Sequence, residues 1–99
     1  MSTDSIYLDY MNMMHQADRL EELAATLKSR AKTAGENIES GLRAGWTGEA
    51  AEECRRKAAR AAENAAARAG QLEWAAFLLR GAAREYYRTE MLAQTLFGG

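Results

Sequence analysis

Small or apolar residues recur along almost the whole chain at alternating steps of four and three positions. In the first half, the pattern is made by ten residues: Ile6, Tyr10, Met13, Ala17, Leu20, Ala24, Leu27, Ala31, Ala34 and Ile38. It stops at Gly41, Gly45 and Gly48 and then resumes. The second half continues it through Ala51, Cys54, Ala58, Ala61, Ala65, Arg68, Leu72, Ala75, Leu79, Ala82, Tyr86, Thr89, Ala93 and Leu96. A sustained seven-residue repeat predicts two α-helices that pack along their apolar seams.

The predicted fold class is therefore all-α, an antiparallel helix-turn-helix hairpin in a single domain. The predicted boundaries are a helix over about 5–42, a turn over about 43–48, a helix over about 49–94 and a flexible tail. The chain contains no proline and is rich in Ala, Glu and Arg, which favours long helices. A short connection makes the two helices antiparallel neighbours. Three residues are candidates for the N-terminal cap of the first helix: Thr3, Asp4 and Ser5.

A turn centred near Trp46 fixes which residues of the two helices should face each other. The expected pairs are Leu20 with Leu72, Met13 with Leu79, and Ile6 with Tyr86. The same register leaves residues after about Met91 without a partner in the first helix. We therefore expect the C-terminal stretch to overhang the hairpin.

The charge balance excludes one large class of partner. Lys and Arg number 13 and Asp and Glu 14, which gives a net charge of −1. A protein that binds nucleic acid through its phosphates needs a clear positive excess, so no nucleic-acid partner is expected. No apolar run approaches about 18 residues, so no stable membrane insertion is expected. The first residues lack the basic and apolar regions of a cleavable signal peptide.

The residues that usually carry catalysis or bind metals are scarce. Cys54 and His15 are each the only residue of their type. A disulfide framework within the chain and a clustered metal site are therefore not expected. No pair of nucleophile and base stands out, so we expect no enzymatic activity, no metal and no cofactor. Cys54 is interpreted as a small buried hydrophobe, with a reactive thiol as the alternative.

Two short motifs complete the pattern, one in the turn and one near the C-terminus. The turn contains Trp46-Thr47-Gly48, and the second helix ends with Tyr86 and Glu90 four positions apart. With a length near one hundred residues and two heptad helices, these motifs resemble the WXG100 family of type VII secretion substrates. The Tyr-x-x-x-Asp/Glu motif of that family is its export signal. In the broader form of the signal, Ala93 and Phe97 occupy the two following hydrophobic positions.

The resemblance implies a bacterial protein without catalytic activity. It would reach the cell surface or the medium from the cytoplasm by a Sec-independent route. It would be exported as a folded dimer, a four-helix bundle formed with a second copy or a sister WXG100 protein. The membrane ATPase of the type VII system would read its C-terminus. The alternative is a partner or chaperone that binds the helical N-terminal domain of a larger toxin.

Both motifs also have simple structural interpretations. Trp46 has a large apolar surface that is expected to close the end of the two-helix core. Gly48 is expected to take a positive φ or to allow close backbone approach. Tyr86 occupies a seam position as well as a signal position, and these two roles remain equally open. Glu90 is interpreted as part of the signal.

A second face of the second helix carries large side chains that the seam does not use. It consists of Gly70, Trp74, Phe77 and Gly81, spaced by four, three and four positions. A Trp-Phe pair flanked by glycines indicates a packing stripe for a dimer or another partner. The alternative is that Trp74 lies flat on neighbouring Arg or Glu side chains. Membrane activity of exposed amphipathic helices has little support, because the apolar faces are mostly alanine.

Overall fold

A computed structural model describes residues 2–98 as two long α-helices packed against each other. Helix α1 spans Thr3–Arg43 and helix α2 spans Glu49–Ala93, and a π-helical turn over Gln94–Gly98 follows α2. The described residues contain no β-strand. The predicted all-α hairpin is confirmed, while its dimerisation stays a prediction.

The hairpin consists of two compact units, which we describe separately. The turn unit is Leu23–Gln71, and the terminal unit contains the described residues up to Glu22 and from Leu72 onward. The buried apolar residues of the terminal unit are Ile6, Ala17, Ala76 and Ala83. Those of the turn unit are Ala24, Leu42, Ala51 and Ala69. Alanine therefore dominates both cores, and its small side chain allows two helix axes to approach closely.

Helix α2 uses a different set of seam positions from the one predicted. Arg68, Ala82 and Thr89 were expected in the seam but are exposed. Their C-terminal neighbours face α1 instead: Ala69 and Ala83 are buried, and Glu90 is half-buried. The observed seam still repeats every seven residues. Each predicted step of four positions is now a step of three, and each step of three is a step of four. Alanine stands at both alternatives in several repeats, and the observed order keeps Arg68, whose charge is costly to bury, exposed.

Helix α1 follows the predicted seam closely until its last two turns. Ile6, Ala17 and Ala24 are buried as the pattern requires. Near the turn, Ala34 is exposed, whereas Leu42, which was not assigned to the seam, is only 4% exposed. Leu42 therefore closes this end of the core, although it lies beyond Ile38, the last residue of the predicted seam.

The helix ends are held by local hydrogen bonds. The Ser2 hydroxyl accepts a hydrogen bond from the backbone N–H of Ser5 at 3.1 Å. Ser2 is thus the cap, and the prediction of a cap at positions 3–5 is wrong because α1 begins at Thr3, two residues earlier than expected. At the other end of α1 the Leu42 carbonyl accepts the N–H of Trp46 at 3.1 Å. Helix α2 begins with acidic side chains in its first turn, where the helix dipole favours them.

Polar contacts between the helices show their register within each unit. In the terminal unit the Tyr86 hydroxyl donates to Asp9 Oδ2 at 2.9 Å. Arg80 binds Asp18 at 2.7 Å and also pairs with Glu21. In the turn unit Arg55 Nε lies 3.3 Å from Glu39 Oε2. Exposed ion pairs contribute little to stability, so we use these contacts as indicators of register and not as the source of the fold.

The observed register differs from the predicted one. Tyr86 was expected opposite Ile6 but is hydrogen-bonded to Asp9, and the Tyr87 ring lies 4.9 Å from that of Tyr10. Helix α1 therefore covers α2 further towards its C-terminus than a symmetric turn predicts. Periodicity alone does not fix the register, because sliding one helix along the other by a whole repeat keeps the same residues in the seam.

The expected overhang is shorter as a consequence. Ala93 and Gln94 are half-buried, and Thr95 lines a groove together with Tyr7. Of the residues expected to form a flexible tail, those up to Gly98 belong to a π-helical turn, and Gly99 lies outside the described residues. The Thr95 hydroxyl donates to the Met91 carbonyl at 3.0 Å. Beyond Thr95 the side chains are exposed, with Phe97 at 87%.

The order of seam positions on α2 can be tested with two neighbouring alanines. Replacing Ala83, which is fully buried, by leucine forces extra volume between the helices, and we expect a loss of about 1–3 kcal/mol of unfolding free energy. Ala82→Leu is the matched control, since Ala82 is exposed and leucine is a good helix former. Urea unfolding followed by circular dichroism measures both. A larger loss for Ala82→Leu than for Ala83→Leu would contradict the observed seam.

Candidate protein-interaction surfaces

The Trp-x-Gly motif lies in the connection between the helices, but its tryptophan is not part of the core. Trp46 is 60% exposed, whereas Leu42 and Ala51 are buried. The expectation that Trp46 closes the core is therefore wrong, because these two smaller side chains already fill that end. The indole lies beside a shallow groove of about 270 Å³, whose other lining residues are Asn37, Ile38, Gly41, Leu42 and Cys54. The half-buried Cys54 is thus a wall of this groove and not a fully buried residue.

Gly48 has a backbone conformation that explains the glycine of the motif. Its φ is +87°, in the left-handed region that residues with a Cβ rarely adopt. Its carbonyl accepts the N–H of Glu52 at 3.1 Å, the first helical hydrogen bond of α2. Gly48 therefore reverses the chain and starts the second helix.

Two glycine substitutions in the turn unit should change stability in opposite directions. Gly48→Ala forces alanine into a positive φ and should destabilise the hairpin by about 1 kcal/mol or more. Gly35→Ala should stabilise it by up to about 1 kcal/mol, because Gly35 is inside α1 and a Cβ there meets no atom within 4 Å. Thermal unfolding of the two variants measures this difference. A stabilising Gly48→Ala substitution would contradict the role assigned to the turn.

The four residues of the export-signal motif do not share one environment. Tyr86, Glu90 and Ala93 are half-buried, and Phe97 is exposed. Their spacing of four, three and four positions is also the spacing of the observed α2 seam. The motif therefore begins on the face that contacts α1 and ends on a side chain that α1 does not cover.

Tyr86 is the most constrained residue of this motif. Burial against α1 raises the pKa of its hydroxyl to about 12, and the hydrogen bond to Asp9 and the negative charges of Asp9 and Glu90 add to the effect. Each of these causes favours the protonated phenol, which donates its proton to Asp9. Tyr86 thus links the end of α2 to the first turns of α1.

The raised pKa of Tyr86 predicts how stability depends on alkaline pH. A tyrosine has a pKa of about 10 in an unfolded chain. The stabilising contribution of Tyr86 is therefore complete below pH 10 and is lost as the pH rises through about 12. In an absorbance titration of phenolate, Tyr86→Phe should remove the latest transition, whereas Tyr7→Phe should keep it. Retention of a transition near pH 12 in Tyr86→Phe would contradict the assignment.

Trp74 and Phe77 of the predicted packing stripe form an exposed aromatic pair, and the role of the stripe in packing stays a prediction. The Trp74 and Phe77 rings stack with centroids 5.3 Å apart and an interplanar angle of 14°. They are 60% and 59% exposed, respectively. Gly70 is exposed and Gly81 half-buried, and a Cβ at either position would meet no atom within 4 Å. Trp74 thus stacks on Phe77, and the pair leaves a large apolar surface in contact with solvent.

A second surface of the terminal unit was missed by the sequence analysis. It is an open groove of about 820 Å³ lined by Tyr7, Tyr10, Arg84, Tyr87, Arg88, Met91, Leu92 and Thr95. We call it the Tyr/Arg groove. Its α2 residues recur at helical spacing on the flank of the seam. This spacing could have identified them from the sequence. The groove combines apolar walls with two cationic side chains on one edge.

The two arginines of this groove differ in their partners. Arg88 Nη1 lies 3.5 Å from Glu85 Oε2, a long contact between two exposed side chains of the same helix. Arg84 makes no hydrogen bond or ion pair with any of residues 2–98. The positive charge on this edge of the groove is therefore only partly compensated.

Comparison with known protein families, curated protein sequences and solved structures finds no match to this chain. The resemblance to the WXG100 family therefore rests on the residues of the two motifs and on the hairpin. Within residues 2–98, no three side chains of the types that bind metals form a group able to hold an ion. No helix in this range is apolar enough over a sufficient length to cross a membrane.

Proposed function

We propose that the chain is a non-enzymatic, protein-binding hairpin exported by a type VII secretion system, as its resemblance to WXG100 proteins implies. In this proposal it acts as a dimer with a second copy or a sister protein. The membrane ATPase of the system recognises the C-terminal end of α2. The protein is bacterial and leaves the cytoplasm by a Sec-independent route.

The observation that carries the proposal is the position of the signal motif at the end of α2. Tyr86 and Glu90 lie one helical turn apart, and the π-helical turn that follows α2 carries exposed Leu96 and Phe97. An exposed helix end with apolar side chains suits recognition in a hydrophobic groove of another protein. The carboxylate of Glu90 adds a charged group for orientation.

In this proposal the receptor also contacts the residues of the motif in a fixed order. Phe97 is accessible at once, whereas Tyr86 is held by its hydrogen bond to Asp9. A receptor would first bind Phe97 and then reach Glu90 along the same face of α2. In this proposal the first turn of α1 determines how much of the motif is accessible to the receptor.

Export of variants tests the assignment of the signal. Loss of a charge-assisted hydrogen bond to the receptor, or of a phenyl ring buried in it, weakens binding by about tenfold or more. We therefore expect Glu90→Gln and Phe97→Ala to reduce export by about that factor. The controls are Glu85→Gln, the same change outside the motif, and Leu23→Ala, which truncates an exposed apolar side chain in the turn unit. The amounts of protein in the medium and in the cells of the parent organism are compared. Unchanged export of folded Glu90→Gln and Phe97→Ala would contradict the signal.

The second candidate function is a partner of a larger type VII toxin, favoured by the exposed Trp74–Phe77 pair. The helical N-terminal domain of the toxin would then cover this pair. Sedimentation of the purified chain tests for the homodimer. A stable homodimer supports the first function, whereas a monomer or an aggregate indicates that a different chain, a sister protein or the toxin, is required.

A further inference from the structure

The aromatic pair and the Tyr/Arg groove lie on the same helix, on opposite sides of Gly81. Trp74 is seven residues before Gly81, and Arg88 is seven residues after it. Seven residues are close to two helical turns, so these three positions share one face of α2. Both surfaces belong to the terminal unit.

We propose that two copies pack through antiparallel α2 helices that cross at Gly81, so that Trp74 and Phe77 of each copy fill the Tyr/Arg groove of the other. This inference deepens the homodimer of the proposed function and rests on it. The occupant of the groove is thus a second copy of this chain.

Symmetry is the first argument for this arrangement. A two-fold axis through Gly81 brings each Trp74 to the Arg88 of the second copy, and the reverse contact forms at the same time. Such an interface uses one surface patch twice and closes after two subunits. Trp74 and the groove residue Arg88 are equally distant from Gly81 and therefore meet this requirement.

The chemistry of the two surfaces is complementary. Trp74 and Phe77 offer two exposed ring faces, and the groove offers Met91 and Leu92 with two arginines at its edge. A guanidinium over the face of an indole is attracted by the ring, most strongly where water is excluded. Arg84 has no carboxylate partner among residues 2–98 and is therefore available for this contact.

Gly81 permits the close approach that the crossing needs. A Cβ at this position meets no atom within 4 Å of its own chain, so the surface above it is open. Packed helix axes lie about 8–10 Å apart, and Cα atoms lie about 2.3 Å from each axis. Facing Cα atoms at the crossing are then about 3.4–5.4 Å apart, and a disulfide can bridge the upper half of this range.

A single cysteine at the crossing tests the arrangement. All variants carry Cys54→Ala to remove the native thiol. Gly81→Cys should form a covalent dimer on mild oxidation with copper phenanthroline, and Ala82→Cys, one residue away on another face, should crosslink at least about fivefold more slowly because its thiols point apart. Equal rates, or no crosslinking of a Gly81→Cys variant that still sediments as a dimer, would overturn the crossing at Gly81.

The role of the aromatic pair is tested by the dissociation constant of the dimer. Trp74→Ala should raise it by at least about tenfold, since truncating a central aromatic residue has effects of this size. Leu23→Ala is the control, because Leu23 is equally exposed but belongs to the turn unit. Sedimentation equilibrium measures both. A monomer at all concentrations overturns the dimer, whereas a dimer insensitive to Trp74→Ala overturns only this arrangement, and neither result depends on the export assay.

Discussion

Alanine at the contact between the two helices is the constraint on which the rest of the molecule depends. Ala17, Ala76 and Ala83 are almost completely buried in the terminal unit, and Ala24 and Ala69 are equally buried in the turn unit. Such small side chains bring the helices close but remove little apolar surface from water. The larger apolar side chains find little room between the helices, and many of them therefore face outward.

The outward side chains are not scattered at random in the terminal unit. Trp74 stacks on Phe77, and the Tyr/Arg groove lies further along the same helix. A small domain with a thin core gains much of its stability from a partner subunit. The same features that make a lone hairpin weak thus make it suited to binding other proteins, which is the function proposed here.

The fold could be predicted from the sequence because two properties agree along its whole length. The seven-residue repeat and the absence of proline both require long helices, and the glycines mark the turn. The order of the α2 seam could not be predicted with the same certainty. Where Ala82 and Ala83 are adjacent, periodicity alone does not decide which one is buried. Arg68 in the predicted seam was the sign that its neighbour, Ala69, fits better there.

The candidate surfaces were predicted in part. The Trp74–Phe77 pair follows from spacing, since two large aromatic residues opposite an alanine seam must be exposed. The Tyr/Arg groove did not follow, because it needs side chains from both helices in their actual register. That register was wrong in the prediction, which placed Tyr86 opposite Ile6 and not beside Asp9. Because of this difference in register, α1 covers more of the C-terminal end of α2 than expected.

The central claim is that the alanine core makes the stability of this hairpin depend on association. The most direct measurement is thermal unfolding by circular dichroism over a hundredfold range of protein concentration. A dimer that unfolds to separate chains has a midpoint temperature that rises with concentration, and this is the result we predict. A midpoint that stays constant over the whole range would show that the hairpin is stable alone, and it would contradict the account.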